Sequence, residues 1–353
     1  MNEAVLLLAY GSPSLPEDMA DYLRDVREGR EPPPELIAEM QERQRRIGGS
    51  PLTRLTLAQA LALQRELLRR GRFMPVYVGM RHWPPRIADA IAQMRADGIT
   101  DAVALVMAPH YSALSGGRYR QRVEEAQAGA EAPIRFRFIE SWWAQPRLLD
   151  AWESAIRRVL AAPADSAEKP AVDGEAADPP CGKAWEVDPS WEGPRPRGPS
   201  FGGGAAESIA AAETGKTKLI FTAQSLPARI RQAGDPYEEQ LLGNCRALAE
   251  RLGTSDWTFA FQSAGASPEP WLGPALEDVL PTLARDGYRR VLGAPIGFVC
   301  DHMEILFDLD MEARGIAESA GLQFARVDLP NTAPLFIEAL ADTVLAARDG
   351  SAA

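Results

Sequence analysis

Three carboxylates spaced four residues apart, Glu304, Asp308 and Glu312, stand in the stretch GFVCDHMEILFDLDMEAR at 297–314. On a helix starting near Asp301, that spacing sets them in a row along one side. Met303, Leu306, Phe307 and Met311 supply the apolar side. Like charges at this spacing cost a helix about 0.2–0.5 kcal/mol per pair. A row of them is useful where a cation travels along it, because carboxylates suit hard and borderline divalent metals. A plainer account also fits: Asp301 and Glu304 have the spacing of a capping box, the rest forming a solvated acidic face. Spacing alone leaves both open.

A second point of chemistry is FTAQSLP, residues 221–227. Lys218 to Phe221 reads as an apolar strand that Pro227 stops, so Gln224 is delivered where the strand opens into a crevice. VLLLAYGSP near the start has the same form and puts Tyr10 at the similar place. Only three histidines are present. His82 in GMRHWPP and His110 in APHYS each follow a strand-like stretch and could face the cleft, although a lone histidine is more often structural. His302, beside the acidic helix, reads as a hydrogen-bonded support, and Cys300 as a small buried residue.

The elements that must position these residues alternate in type. Val5–Ala9, Val76–Val78 and Val103–Met107 read as strands, the first ending in Gly11-Ser12-Pro13. Thr53 and Thr56 are candidate caps ahead of a helix from Leu57 to Leu68. Further helices are expected from Arg86 to Asp97, stopped by Gly98, and from about Arg147 to Leu160. Strands separated by helices of this length imply parallel βαβ units.

From about 163 to 216 the chain turns rich in Pro, Gly, Ala and acidic residues without a period, which reads as a disordered insertion or linker. Trp185, Trp191 and Phe201 within it are expected to be scattered aromatics of a solvated spacer, with a docking motif as the alternative. The βα pattern then restarts. Asp97-Gly98 before one strand is echoed by Asp286-Gly287 before another, and Ala108-Pro109 by Ala294-Pro295, at a different spacing. The expected architecture is α/β: two Rossmann-like lobes with parallel sheets, at 1–162 and 217–353, facing each other around the insertion at 163–216. Ligands of such sheets sit beyond the carboxyl ends of the strands, which puts Tyr10 and Gln224 on one cleft.

Composition narrows the chemistry. Lys plus Arg is 38 and Asp plus Glu is 49, a formal charge of −11, so a nucleic-acid partner is not expected and an anionic ligand needs a local arginine cluster. No stretch reaches the roughly 18 apolar residues of a membrane span, and the N-terminus does not read as a signal peptide. Cys181, Cys245 and Cys300 lie far apart, against a disulfide framework or a cysteine-held metal and in keeping with a cytoplasmic protein. There is no GxGxxG after the first strand, no GxxxxGK[ST] and no GxSxG, so a nucleotide enzyme and an α/β-hydrolase are both disfavoured.

Several long segments together resemble the ferrochelatases, and most closely the coproporphyrin ferrochelatases of bacteria. They are LLLAYGSP, REGREPPP, IGGSPLTRLTLAQA, DGITDAVALVMAPHYSALSGGRY, SWWAQP, SLPARIRQAGDPYEEQL, PEPWLGP and PIGFVCDHMEILFDLDMEA, nearly the whole chain outside the insertion. The resemblance implies a two-lobed chelatase fold with a porphyrin cleft between the lobes. It implies insertion of Fe²⁺ as substrate into the macrocycle in haem biosynthesis, with no organic cofactor, by a protein expected to be a monomer. Tyr10 matches the tyrosine that approaches the metal from one face in the coproporphyrin type, which favours coproporphyrin III over protoporphyrin. Arg30, Arg43, Ser50 and Tyr119 match positions lining the porphyrin site or its propionates, and Gln44 lies where relatives often have tyrosine. Glu304 matches the catalytic carboxylate, and Asp308 and Glu312 continue the metal path. IGGSPL is one residue shorter before the serine than in close relatives.

In FTAQSLP the family pattern has a histidine where this chain has Gln224. That histidine is the family's usual metal ligand and proton acceptor opposite the tyrosine. Imidazole accepts a proton near neutral pH, whereas an amide is non-basic and offers only its carbonyl oxygen to a metal. Three readings follow. In the first, a ferrochelatase works with Glu304 as proton acceptor, its basicity raised by neighbouring carboxylates and partial desolvation. In the second, the chain is a non-catalytic tetrapyrrole or haem binder. The third covers another metal or tetrapyrrole, or a histidine deliberately replaced to trap a porphyrin complex.

Overall fold

The computed structural model describes residues 2–161, 216–265 and 267–350. Trp185, Trp191, Phe201 and all of the expected insertion except Lys216 lie outside them.

The chain forms two four-stranded, all-parallel sheets with one and the same strand order. The first runs β2(Val76–Met80)-β1(Glu3–Ala9)-β3(Asp101–Val106)-β4(Arg135–Ile139), and the second β6(Trp257–Gln262)-β5(Thr217–Gln224)-β7(Arg290–Ala294)-β8(Gln323–Arg326). The central strands read as unbroken apolar runs because helices cover both faces of a parallel sheet. Ala4 to Leu8, all fully buried, are the clearest case. The edge strand β4 alternates Arg135 and Arg137 with Phe136 and Phe138, and the arginines face solvent. In each sheet the first strand sits between its two sequence successors. Its carboxyl end is therefore the switch point at which such sheets hold ligands.

The helices are α1(Met19–Val26), α2(Pro34–Ile47), α3(Leu52–Arg69), α4(Ile87–Ala96), α5(Gly116–Gln127) and α6(Pro146–Ala161), then α7(Tyr237–Leu252), α8(Leu276–Arg285), α9(Arg314–Ser319) and α10(Pro334–Asp349). The Asp-Gly echo is a shared stop signal: Gly98 and Gly287 both take positive φ just after α4 and α8, and each helix closes by a bond from two residues beyond its last turn. The expected caps do not form. α3 begins before Thr53 and Thr56; Thr56 bonds back to the Leu52 carbonyl, and Thr53 donates to the Ser12 carbonyl at 2.7 Å. A hydroxyl inside a helix turns to a carbonyl four residues back, or to a neighbouring loop, when no terminus needs it.

The last helix leaves the second sheet. α10 packs against α3 and α6 of the first lobe, so the two lobes are laced together at their ends. Three hydrogen bonds across the seam repeat the message: Gln59 donates to the Asn331 carbonyl, the Tyr111 N–H to Gln240, and Asn244 to the Trp143 carbonyl. A separate apolar cluster joins Met19, Tyr22, Leu23 and Ile47 to Met303, Leu306 and Phe307, fixing the acidic segment to the first lobe.

Candidate active site

Tyr10 is the first residue beyond β1, and Gly11 after it turns the chain at φ 79°. A side chain at position 11 would strike Met80 and Trp83. The turn therefore leaves Tyr10 37% exposed, an unusual state for a tyrosine at the end of a buried strand. Its ring lies 4.6 Å from that of His82, and the Arg81 guanidinium sits 5.5 Å above it. His82 is held from behind by Asp25 at 2.8 Å, which Arg86 also engages at 2.8 Å. Burial raises the proton affinity of the Tyr10 hydroxyl; Arg81 opposes this, while Glu304 and Asp25 add to it. Glu304 of the second lobe is thus within electrostatic reach of Tyr10.

Gln224 ends β5 as Tyr10 follows β1, in register with Gln262 of β6. Its side-chain amide nitrogen donates to the Ser263 carbonyl, and its main-chain carbonyl accepts from the Tyr237 hydroxyl at 3.0 Å. Ser263 has φ 56°, an uncommon conformation for a non-glycine residue. Its hydroxyl donates to Asp308.

The acidic segment is helical, but wound differently from the expected α-helix. Residues Glu304–Ala313 form a π-helix, whose wider turns bond residues five apart, as the Arg314 N–H does to the Leu309 carbonyl. The turn before it approaches β5 closely: a side chain at Gly297 would sit 2.6 Å from the Ala223 Cβ. The capping box is not made. Asp301 instead bonds Asn331 at 2.7 Å and faces Arg326 at 3.2 Å. Asp310 takes both arms of Arg326, at 2.7 and 2.9 Å, underneath the helix. Five acids thus divide into two sets: Asp301 and Asp310 are locked inward on Arg326, and Glu304, Asp308 and Glu312 form the other face.

Along that face the setting changes from residue to residue. Glu304 is 3.5 Å from His302 Nε2, and His302 Nδ1 donates to the Cys300 carbonyl at 2.9 Å. His302 is therefore the support expected of it. Cys300 is buried, and burial pushes its thiol up. Asp308 is the most enclosed of the row. Burial pushes its carboxyl up to about 7; Ser263 and Arg43 oppose the rise, and Glu304 and Glu312 add to it. Glu312 is half exposed. A cavity of 980 Å³, lined in part by Arg43, Arg46, Ser263, Asp308 and Glu312, opens on this outer end of the row and not on Tyr10 or Gln224. Among the described residues no three His, Cys, Asp or Glu side chains converge to hold a metal ion, so the row consists of separate carboxylates.

The remaining expected ligand-binding residues divide. Tyr119 is buried beneath Arg81, whose guanidinium lies 5.3 Å over its ring. Arg43 reaches across the lobes to Asp308 at 3.2 Å and Glu312 at 3.9 Å while holding Glu39 at 2.9 Å. Arg30 is exposed, with Nε on the Arg27 carbonyl. Gln44 is corrected to a brace: fully buried, it donates to the Pro13 carbonyl and accepts from the Ser50 N–H, both at 2.7 Å, which leaves no polar end for a ligand. Ser50 is buried too, its hydroxyl 2.9 Å from that of Ser12, so the shortened loop closes on the Tyr10 turn. His110 is fully enclosed and away from these groups, and burial lowers its pKa to about 3.

Sequence reasoning missed Ser263, Arg81 and Asp25. Ser263 and Arg81 directly follow β6 and β2, the strands beside those that deliver Gln224 and Tyr10. The apolar run WTFAFQ before Ser263 was the signal available.

The ferrochelatase family profile matches residues 2–172 and 201–348. The chain belongs to the ferrochelatase family. It is 35% identical over 345 residues to the coproporphyrin III ferrochelatase of Geobacillus thermodenitrificans, spanning 97% of this chain and 94% of that one. It is 36% identical to the ferrochelatases of Herpetosiphon aurantiacus and Thermus thermophilus, over 97% of this chain and 97% and 98% of theirs. Among solved structures, SirB from Bacillus subtilis with Fe³⁺ has a TM-score of 0.55 at 10% identity, covering 99% of this chain and 98% of that one. That likeness concerns the fold alone, and it makes the two-lobed α/β architecture of this ferrochelatase-family chain a chelatase fold. Among the described residues no helix is long and apolar enough to cross a membrane.

Proposed function

We propose that the chain inserts ferrous iron into a porphyrin, with coproporphyrin III preferred over protoporphyrin IX. The observation that carries this is the acidic row headed by Glu304, packed through Met303, Leu306 and Phe307 against the first lobe, whose central strand presents Tyr10 at its switch point. Family membership and the coproporphyrin III ferrochelatases among its relatives support the substrate.

The reaction replaces two pyrrole N–H protons with Fe²⁺. Tyr10 presents an oxygen to one face of a macrocycle lying in the cleft. Glu304, on the other side, accepts the two pyrrole protons one after the other, passing the first towards solvent before it takes the second. Asp308 and Glu312 lead the cation inward, and the four porphyrin nitrogens supply the coordination that the separate carboxylates lack. Holding the macrocycle between two rigid strand ends contributes by orientation alone. No organic cofactor enters this scheme. A monomer acting in the cytoplasm fits it.

A second reading rests on Gln224. Its amide is committed to the Ser263 carbonyl and cannot take a proton, so a scaffold that holds a tetrapyrrole without metallating it also accounts for the cleft.

Anaerobic Fe²⁺ insertion into coproporphyrin III, followed by absorbance, separates the two. Turnover by the chain as given supports the enzyme, and Gln224→His is then expected to raise the rate about 100-fold, the scale of a positioned base. Binding without turnover, rescued by Gln224→His, establishes the binder. No porphyrin binding by either protein removes both.

A further inference from the structure

The guanidiniums around the cleft are not equally occupied. Arg43 holds three carboxylates, and Arg30 rests on a backbone carbonyl. Arg81 is different. Among the described residues it has no carboxylate partner, and its buried Nε has no hydrogen-bond partner. What fixes it is aromatic: its guanidinium sits 5.5 Å from the Tyr10 ring centre and 5.3 Å from that of Tyr119. Its N–H is tied to the Ala9 carbonyl at 3.0 Å, which anchors the residue at the end of β2.

Arg81 also lines a cavity of 390 Å³ between α1, β2, α4 and α5, together with Arg86, Arg122, Asp25 and Glu125. The other charges there are matched. Asp25 takes Arg86 and His82, and Glu125 takes Arg122 at 3.3 Å and Gln121 at 2.8 Å. Three guanidiniums against two carboxylates leave one positive charge over, and it belongs to Arg81. A guanidinium set on aromatic rings keeps its in-plane N–H groups for a planar acceptor, and a carboxylate fits that fork. A partly enclosed cation without a counter-ion is costly, and a ligand carboxylate removes that cost.

We propose that Arg81 forms a carboxylate subsite for a rim substituent of the porphyrin, and that it selects macrocycles with four carboxylate arms over those with two. The inference rests on the tetrapyrrole reading of the cleft. A macrocycle lying on Tyr10 carries its rim over the adjacent guanidinium. Coproporphyrin III has a propionate on every pyrrole ring, so an arm is always there. A dicarboxylate porphyrin can turn its alkyl edge to the same place and leave Arg81 unpaired.

The test compares coproporphyrin III with mesoporphyrin IX, which has ethyl groups where two of the propionates would be. Dissociation constants come from fluorescence quenching for the parent chain, Arg81→Gln and Arg81→Lys. Losing a charge-assisted hydrogen bond predicts a rise of about tenfold in the coproporphyrin constant for Arg81→Gln, and less than about twofold for mesoporphyrin. Arg81→Lys, which keeps the charge, retains most of the preference. Equal weakening of both porphyrins would mean that Arg81 only props the Tyr10 ring, and no change in either would mean that it contacts nothing; both overturn the subsite. A parent chain that binds neither porphyrin overturns the tetrapyrrole reading itself, an outcome distinct from loss of selectivity.

Discussion

Ser263 and Asp308 are joined by a side-chain hydrogen bond, and through Ser263 the Asp308 carboxylate is linked to Gln224. The serine hydroxyl donates to Asp308 while the serine carbonyl accepts the Gln224 amide. The position that ends β5 is thereby connected to the middle of the acidic row, although 84 residues of sequence separate them (308 − 224). Ser263 makes both contacts from a left-handed backbone, with φ 56°.

Glu304 heads the row beside His302, at the end that Tyr10 senses. Glu304→Gln keeps the shape and removes the base. Turnover is expected to fall by about 100-fold, with coproporphyrin binding changed less than about twofold. Steady-state rates and fluorescence quenching measure the two separately. An unchanged rate would move the base elsewhere.

Asp308 predicts a pH dependence. Its carboxyl is pushed up to about 7 by burial, so below that pH it is protonated and neutral, a poor partner for a cation. Metal insertion should rise with pH through about 7 and then level off. Asp308→Asn, which cannot ionise, should be slow and lack that inflection. A parent profile that is flat from pH 6 to 8 would deny Asp308 a part in metal delivery.

Much of this arrangement was legible in the sequence because its cause is local. Val5 to Ala9 reads as a buried strand since both faces of the sheet are covered, and Gly98 and Gly287 stop helices because only glycine takes their backbone angle cheaply. The repeat VLLLAYGSP and LIFTAQSLP placed Tyr10 and Gln224 at equivalent strand ends. What could not be read depends on distant partners. The inward lock of Asp301 and Asp310 depends on Arg326, which lies on β8. Gln44 looks like a cleft residue until Pro13 and Ser50 close over it. α10 is amphipathic against either lobe, and nothing in its own sequence says that it returns to α3 and α6.

Arg326 should be a structural linchpin. Its side chain is 3% exposed, and it answers two carboxylates that would otherwise be enclosed without a counter-ion. Arg326→Leu is expected to lower the unfolding free energy by about 3–5 kcal/mol, the cost of stranding a buried charge. Replacing Asp310 by Leu as well should restore part of it, because the desolvated acid is then gone too. Urea unfolding of the parent, the single and the double variant measures this. A single variant as stable as the parent would mean that water replaces the guanidinium freely.

Stability should also depend on pH, with two opposing causes. His82 and His110 are held near 4 and 3, chiefly by burial, against about 6.5 in the unfolded chain. As pH falls below 6.5 the unfolded chain takes up these protons and the native protein does not, so stability is lost down to about 4. Asp308 works the other way. Its native pKa is raised to about 7, so its contribution is complete below the unfolded value and is lost as pH rises to 7. Two histidines outweigh one carboxyl, and unfolding free energy should rise with pH between about 4 and 6.5. Asp308→Asn should steepen that rise and His110→Gln should flatten it. Urea midpoints at pH 4.5, 5.5 and 6.5 decide the matter: a slope that neither substitution alters would place the titrating groups elsewhere in the fold.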